Sequence, residues 1–417
     1  MSRRRAVALV VIVALLLVAL AALRWATRAE TVGRFLLEMA GTASGLEITA
    51  SAFDYRLRGT PELVAHDVVA RVPGQPTPLL GADRVLLSVP WSTLRARGAV
   101  LDVQRLELDA PVLDLPAFLR WWGQRPAGDG AAPAFVDGIG ITGGRIDADS
   151  WRLEALDIQL PQFAMDAPLR ARARGRYVAD ALRAPFDLRV AMTRVSTQAG
   201  IGIAGTAAPT TAGWRFPAWL RLSGRLDTDG GRIAATRAAL SLRGNLQLDG
   251  STHPLVAGLA GEVLIAAGGL RIDPLAVTLR GQGLLPRLRA GGGLVLRDGL
   301  SLAMHGSLAE WPSAWPVLPA PLDRAQEPTP FAIGYDGAPD LSTPLALRLS
   351  RGDARFEGHV HTDAIPGWLA QLGAGTPLPP VAGTVRAPVL EIPGATLHGV
   401  EIRIDDQPSD DDRRMQP

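Results

Sequence analysis

The sequence predicts an all-β body behind one N-terminal transmembrane helix, with short helices at the ends. Three observations carry that expectation. Stretch after stretch alternates apolar and polar residues, as in LDVQRLELDAPVLDL at 101–115, where Leu106 and Leu108 point one way and Glu107 and Asp109 the other. Glycine (45) and proline (33) are abundant while aromatic residues make up 5%, a mix that suits short strands joined by many turns. Finally, three N-terminal arginines precede eighteen uncharged residues running from Ala6 to Leu23.

Residues 1–28 read as a cytoplasmic tip and membrane anchor. As a helix the uncharged run would be about 27 Å long, against about 30 Å for a bilayer's hydrocarbon core. Ala6, Leu9, Ile12, Leu16, Leu20 and Leu23 would lie in the bilayer, with Trp25 at its interface. A cleaved signal peptide is the rival reading, but its apolar region is normally about 7–15 residues and ends at a small-residue site. Here the run is longer, and Arg24, Trp25 and Arg28 follow it at once. The cluster Arg3, Arg4 and Arg5 favours a cytoplasmic N-terminus, although Arg24, Arg28 and Arg34 oppose it. A single span with the body outside the cytoplasm is expected.

A first β unit is expected over 29–118. It opens with helical spacing in TRAETVGRFLLEMAG, where Val32, Phe35, Leu36 and Met39 share a face; this segment either continues the anchor or caps a sheet end. Leu46, Ile48, Ala50 and Ala52 then alternate, and Phe53, Tyr55 and Leu57 take over on the opposite parity, which implies a bulge or bend near Ala52. Further apolar-face positions are Val85, Leu87 and Val89, then Leu106, Leu108, Leu113 and Leu115. Residues 119–134 read as a loop, with the pair Trp121–Trp122 assigned to the core in preference to a membrane interface.

An antiparallel meander is expected over 135–309, from strands of about five to eight residues and glycine turns. Leu156, Ile158 and Leu160 alternate with Asp157 and Gln159, and Leu240, Leu242, Leu246 and Leu248 continue the pattern. The Pro/Trp-rich stretch 310–330 interrupts the sheet as a loop. A C-terminal β segment at 331–404 includes Leu345 and Leu347 and a short helix-like GWLAQLG, and 405–417 reads as a disordered tail. The whole amounts to about 20–24 strands.

Composition removes much chemistry. The chain has no cysteine, hence no disulfide, thiolate metal site or thiol nucleophile. All 43 basic residues are arginine, so P-loops, Schiff bases and Ser-Lys catalysis are excluded. The arginines are spread evenly and the formal net charge is +2, which argues against nucleic acid as a partner. Two G-x-G-x-x-G matches, from Gly138 and from Gly200, lead into strand or turn sequence and not a helix, so neither suits a dinucleotide. His359, His361 and Asp363 share a strand parity, but so do Asp353, Arg355 and Glu357; this reads as a polar strand face and not a metal site. No cofactor, metal or catalytic residue is expected.

The apolar face is the informative feature, because few helices are available to cover it. Either the sheet closes on itself as a sandwich or barrel, or it forms a trough filled by something else. Periodicity leaves both open.

The first 115 residues add a resemblance. After the anchor come GLEITASAFDYRLRGTPELVAHDVVAR and LLGADRVLLSVPWSTLRARGAVLDVQRLELDAPVLDL, with landmarks at Pro61, Leu63, Asp67, Val68, Ala82, Val85, Leu87 and Val89, and again at Leu94, Gly98, Leu106, Leu108, Pro111, Val112, Leu113 and Leu115. This resembles the start of AsmA-like proteins, over about a quarter of the chain. The resemblance implies an inner-membrane anchor carrying an extended, curled antiparallel sheet, a periplasmic β-groove related to bridge-like lipid transfer proteins. Its partners would be the acyl chains of membrane lipid (phospholipid foremost), the inner membrane, and an envelope protein; its role would lie in outer-membrane assembly or homeostasis. The competing class is a structural subunit of an envelope or secretion assembly, like the N-type subunit of the general secretion pathway, in which a closed sheet binds a protein partner.

Overall fold

The computed structural model describes residues 29–405 apart from 57–58, 93–101, 125–133, 230–231, 249, 267–268, 314, 316, 325–326, 363, 365–379 and 393. The expected anchor, the GWLAQLG segment and nearly all of the expected tail lie outside the described residues. Among those described, no helix is long and apolar enough to cross a membrane. The chain is nearly all β and mostly antiparallel, and divides into two compact units at Asp180/Ala181, inside the stretch expected as one meander.

The first unit opens with helix α1 (Ala29–Ser44), followed by β1 (Glu47–Thr49) and β2 (Ala52–Arg56). Both strands pair antiparallel with β3 (Glu62–Arg71), as two pieces of one interrupted strand. The parity switch seen in the sequence is this break. Asp67 on β3 takes φ 49°, and Ser51 bridges the gap by donating its hydroxyl to Asp67 Oδ2 at 2.6 Å. α1 lies against β1 and β2 through Gly33, where a methyl group would overlap the Phe53 ring.

Next, β4 (Leu80–Ser88) pairs with β3 and with β6 (Arg105–Asp109) and β7 (Val112–Asp114). β6 and β7 are separated by Ala110 at φ 47° and by Pro111, whose ring cannot donate to a ladder. The chain then crosses over. β9 (Ile139–Asp147) runs parallel to β6 and β7, while β5 (Asp102–Val103) and β8 (Ala134–Phe135) form a separate parallel pair. β10 (Arg152–Leu160) and β11 (Leu169–Ala179) complete the sheet antiparallel.

That crossover corrects the sequence reading at two places. Leu115 does not extend the strand; it opens helix α2 (Leu115–Gly123). Asp114 is the N-cap, its carboxylate accepting from Ala117 N at 2.8 Å, and Pro116 fits the first turn, where its missing N–H costs nothing. Trp122 is not core: it is 61% exposed, as Leu119 is at 57%, and it stacks at 5.9 Å on Phe118.

In the second unit, β12 (Leu182–Met192), β13 (Gln198–Ala207), β15 (Ala218–Asp229), β16 (Arg232–Leu248), β17 (Ser251–Ala266) and β18 (Gly269–Gly281) pair in chain order, all antiparallel. A two-residue β14 (Trp214–Arg215) joins β16. The meander continues through β19 (Arg287–Leu296), β20 (Leu300–Leu308), β21 (Thr329–Gly337), β22 (Leu345–Arg351), β23 (Ala354–Val360), β24 (Val381–Ile392) and β25 (Ala395–Ile404).

The strands are longer than the sequence suggested: β16 has 17 residues and β17 has 16. Gly244 reads as a turn residue but lies inside β16, where the backbone of Pro217 and Ala218 comes too close for a side chain. Bulges fall at matching levels on β16 and β18, each carrying one extra residue against both neighbours, with Arg237 at φ 51° in the first and Asp273–Pro274 in the second. Each adds local bend and twist.

Candidate functional site

The alternation along single strands becomes a surface once the registers are known. In the second unit Val190, Ile203, Leu222, Leu240, Leu259 and Val277 are successive cross-strand partners from β12 to β18. The same row runs on through Ala290, Gly306, Phe331, Leu349, Phe356, Val385 and Ile402 to β25. It crosses thirteen strands, about 58 Å at roughly 4.8 Å per step. Neighbouring positions on the other face are wet: Arg189, Arg221, Ser241, Thr278, Arg289, Arg348 and Glu357 are all exposed.

Burial separates this face from an ordinary core. Of the thirteen residues only Phe331 is buried, at 8% exposure; Ile402 is 44% exposed and the rest are half-buried. Covering a leucine or phenylalanine fully yields about 1.5–3 kcal/mol, so each half-covered side chain keeps part of that drive. Two sheets packed face to face would have used it up. Among the described residues of this unit a small buried cluster centres on Ala354, Ala387 and Leu390, with Leu322 and Val400 against them.

One part of the face is roofed. Leu288, Leu308, Phe331, Ile333, Leu347, Leu349, Phe356 and Val385 form the floor of a cavity of about 510 Å³, and Trp311, Trp315, Leu318 and Leu322 of the Pro/Trp-rich stretch cover it. That volume lies within the range of small-molecule pockets, about 300–1,000 Å³. The roof is pinned at several points. Trp315 Nε1 donates to the Leu284 carbonyl at 3.0 Å, and Glu391 N to that of Ala320 at 2.7 Å. Arg351 donates from Nε to the Leu322 carbonyl at 2.7 Å and from a terminal nitrogen to the buried Thr329 hydroxyl at 2.9 Å. Its guanidinium also lies 5.9 Å from the centre of the Trp311 ring, which meets Trp315 edge-on at 5.0 Å.

The sequence-selected positions fall as follows. In the first unit Val85 and Leu108 lie in a row Phe53–Ala65–Val85–Leu108–Ile141–Ile158–Ala173, and Leu87, Leu106 and Leu160 lie in the next, with Ile139. Leu113 sits between Leu80 and Ile146. Leu156 is buried, Val89 follows the end of β4, and Leu115 belongs to α2. In the second unit Leu240, Leu242, Leu246, Leu345 and Leu347 are half-buried on the apolar face, and Leu248 is buried at a strand end. Of all these, Leu347 alone lines the roofed cavity.

Sequence reasoning missed the roof, because proline and tryptophan in 310–330 read as an interruption. The signal was available in the spacing of Trp311, Trp315, Leu318 and Leu322, which repeats apolar residues every three or four positions.

Other candidates disperse. Gly140 and Gly202 lie inside strands β9 and β13. His359 is exposed on β23, His361 follows the strand, and Asp363 lies outside the described residues. Among the described residues no group of three metal-ligating side chains converges. The Arg145 guanidinium is raised by its hydrogen bonds to and the charge of Asp147, and the Asp340 carboxyl is lowered by hydrogen bonds from Ser342.

Comparison with models of known protein families, with curated proteins and with solved structures finds no match for the chain.

Proposed function

We propose that this protein binds lipid acyl chains along the apolar face, which forms the inside of a curled β-groove, and passes or presents them at the bacterial inner membrane. In this reading the stretch from Ala6 to Leu23 anchors the chain, the body works in the periplasm, and the lipid is a phospholipid destined for outer-membrane assembly or homeostasis. The observation that carries the reading is the half-covered apolar row across thirteen strands with the roofed cavity on it. The N-terminal resemblance to AsmA-like proteins agrees with it.

Transfer of this kind needs no catalytic group. Each methylene moved from water to an apolar surface gains about 0.8 kcal/mol, so a long apolar strip offsets the loss of bilayer contacts as a chain leaves. The scaffold alternative requires the apolar residues to be packed on one another, and the half-exposed row does not favour it.

Native mass spectrometry of the full chain released from mild detergent tests the proposal. Phospholipid should remain bound to the wild type and to Arg221→Asp on the wet face, and be lost from Leu222→Asp beside it, with circular dichroism unchanged. A folded wild-type protein that carries no lipid would sink it.

A further inference from the structure

A second cavity, about 1000 Å³ and open, lies at the ends of β16–β19. Three arginines line it, Arg243, Arg280 and Arg287. Arg243 on β16 lies opposite Val256 on β17, Val256 opposite Arg280 on β18, and Arg280 directly opposite Arg287 on β19. Glu310 is the acidic residue among the lining, and it pairs with Arg287 at 3.1 Å. Three guanidiniums against one carboxylate leave a charge of 3 − 1 = +2 on the described lining. Asn245, Gln282 and Ser313 add neutral hydrogen-bonding groups.

This arrangement is unfavourable by itself. Like-charged residues directly opposite across a strand pair have their Cβ atoms about 5 Å apart and destabilise the pairing. Some cross-strand partners elsewhere relieve charge, as Arg348 with Glu357 does, and where Arg355 lies opposite Arg386 the latter pairs with Glu401 on its other side. Arg280 and Arg243 have no such acid across from them: Arg280 lies between Val256 and Arg287, and Arg243 between Trp219 and Val256.

The geometry points to an anion site at Arg243, Arg280 and Arg287 that takes a phosphate group. A phosphate carries the charge that offsets the cluster, and arginine's planar fork donates to its oxygens two at a time. The cavity shares Pro286 and Trp311 with the apolar cavity. A phosphate borne by a lipid would reach these arginines, which share strand parity with Ser241, Thr278 and Arg289 of the wet face, round the strand ends from the proposed acyl site, and that version rests on the function proposed above. A soluble phosphate would need the arginines alone.

The test uses the full chain in neutral detergent and three probes: inorganic phosphate, a fluorescent-acyl phosphatidic acid, and a diacylglycerol with the same label. Arg243→Gln/Arg280→Gln should weaken phosphatidic acid binding by roughly tenfold or more while leaving diacylglycerol unchanged. Glu310→Gln, which frees Arg287, should strengthen it, an effect that misfolding does not imitate. Competition by millimolar inorganic phosphate would identify a soluble source, and its absence a headgroup. Equal phosphatidic acid binding by wild type and the double variant overturns the site. If neither lipid binds the wild type, the acyl reading fails. Inorganic phosphate then decides alone: binding lost in the double variant upholds the site, and no binding overturns it.

Discussion

Arg351 Nε donates to the Leu322 carbonyl oxygen at 2.7 Å, so the last residue of β22 holds the Pro/Trp-rich stretch down on the sheet. The same side chain reaches the Thr329 hydroxyl where β21 begins. One guanidinium thus fixes both the roof and the strand on which its chain resumes. A hydrogen bond to a charged group contributes about 1.5–3 kcal/mol. Arg351→Met should therefore lower stability to urea by about 2 kcal/mol and speed exchange of a bound acyl probe. An unchanged midpoint and release rate would show that the roof is held elsewhere.

Gly244 reverses the usual rule for glycine. Within a strand an alanine is ordinarily the better residue by about 0.5–1 kcal/mol. Here a methyl would run into the backbone of Pro217 and Ala218, forcing β15 and β16 apart. Gly244→Ala should destabilise by about 1–3 kcal/mol, read from thermal unfolding. A raised melting temperature would contradict the close approach.

Asp114 caps α2. Asp114→Ala removes the acceptor for Ala117 N and should cost about 1 kcal/mol. Asp114→Asn, which keeps an acceptor, should cost less. Equal losses in the two variants would mean that the carboxylate acts otherwise.

The apolar cavity should be indifferent to pH. Among its described lining residues are no histidine, aspartate or glutamate, so no side chain there changes charge between about pH 5 and 8. Uptake of an uncharged acyl probe is expected to be flat across that range. A tenfold change would point to a titrating group against the ligand.

The faces of this sheet were legible in the sequence, and its neighbours were not. Val85, Leu108 and Ile158 reveal which way they point through period-two alternation alone, because a strand's side chains alternate wherever the strand sits. Alternation says nothing of what lies beside a strand. Nothing local announces that Leu106 meets Ile139 in parallel pairing across an intervening helix. At Leu115 two local signals competed: alternation with Leu113 favoured a strand, while Asp114 and Pro116 marked a helix start. Capping prevailed there because the chain must cross over to reach β9. The roofed cavity was hidden for a related reason. Prolines rule out a ladder, but they leave Trp311 and Trp315 free to pack against a sheet built from residues before and after them.

Face-specific crosslinking tests the central claim most directly. A benzophenone amino acid would be placed at Leu240, Leu259 or Phe356 on the apolar face and at Ser241, Thr278 or Glu357 on the wet face, and the full chain irradiated in its native membrane. Lipid adducts at the first three positions and not at the second three are the expected result. Adducts spread equally over both faces, or protein adducts alone on the apolar one, would contradict the lipid-binding account.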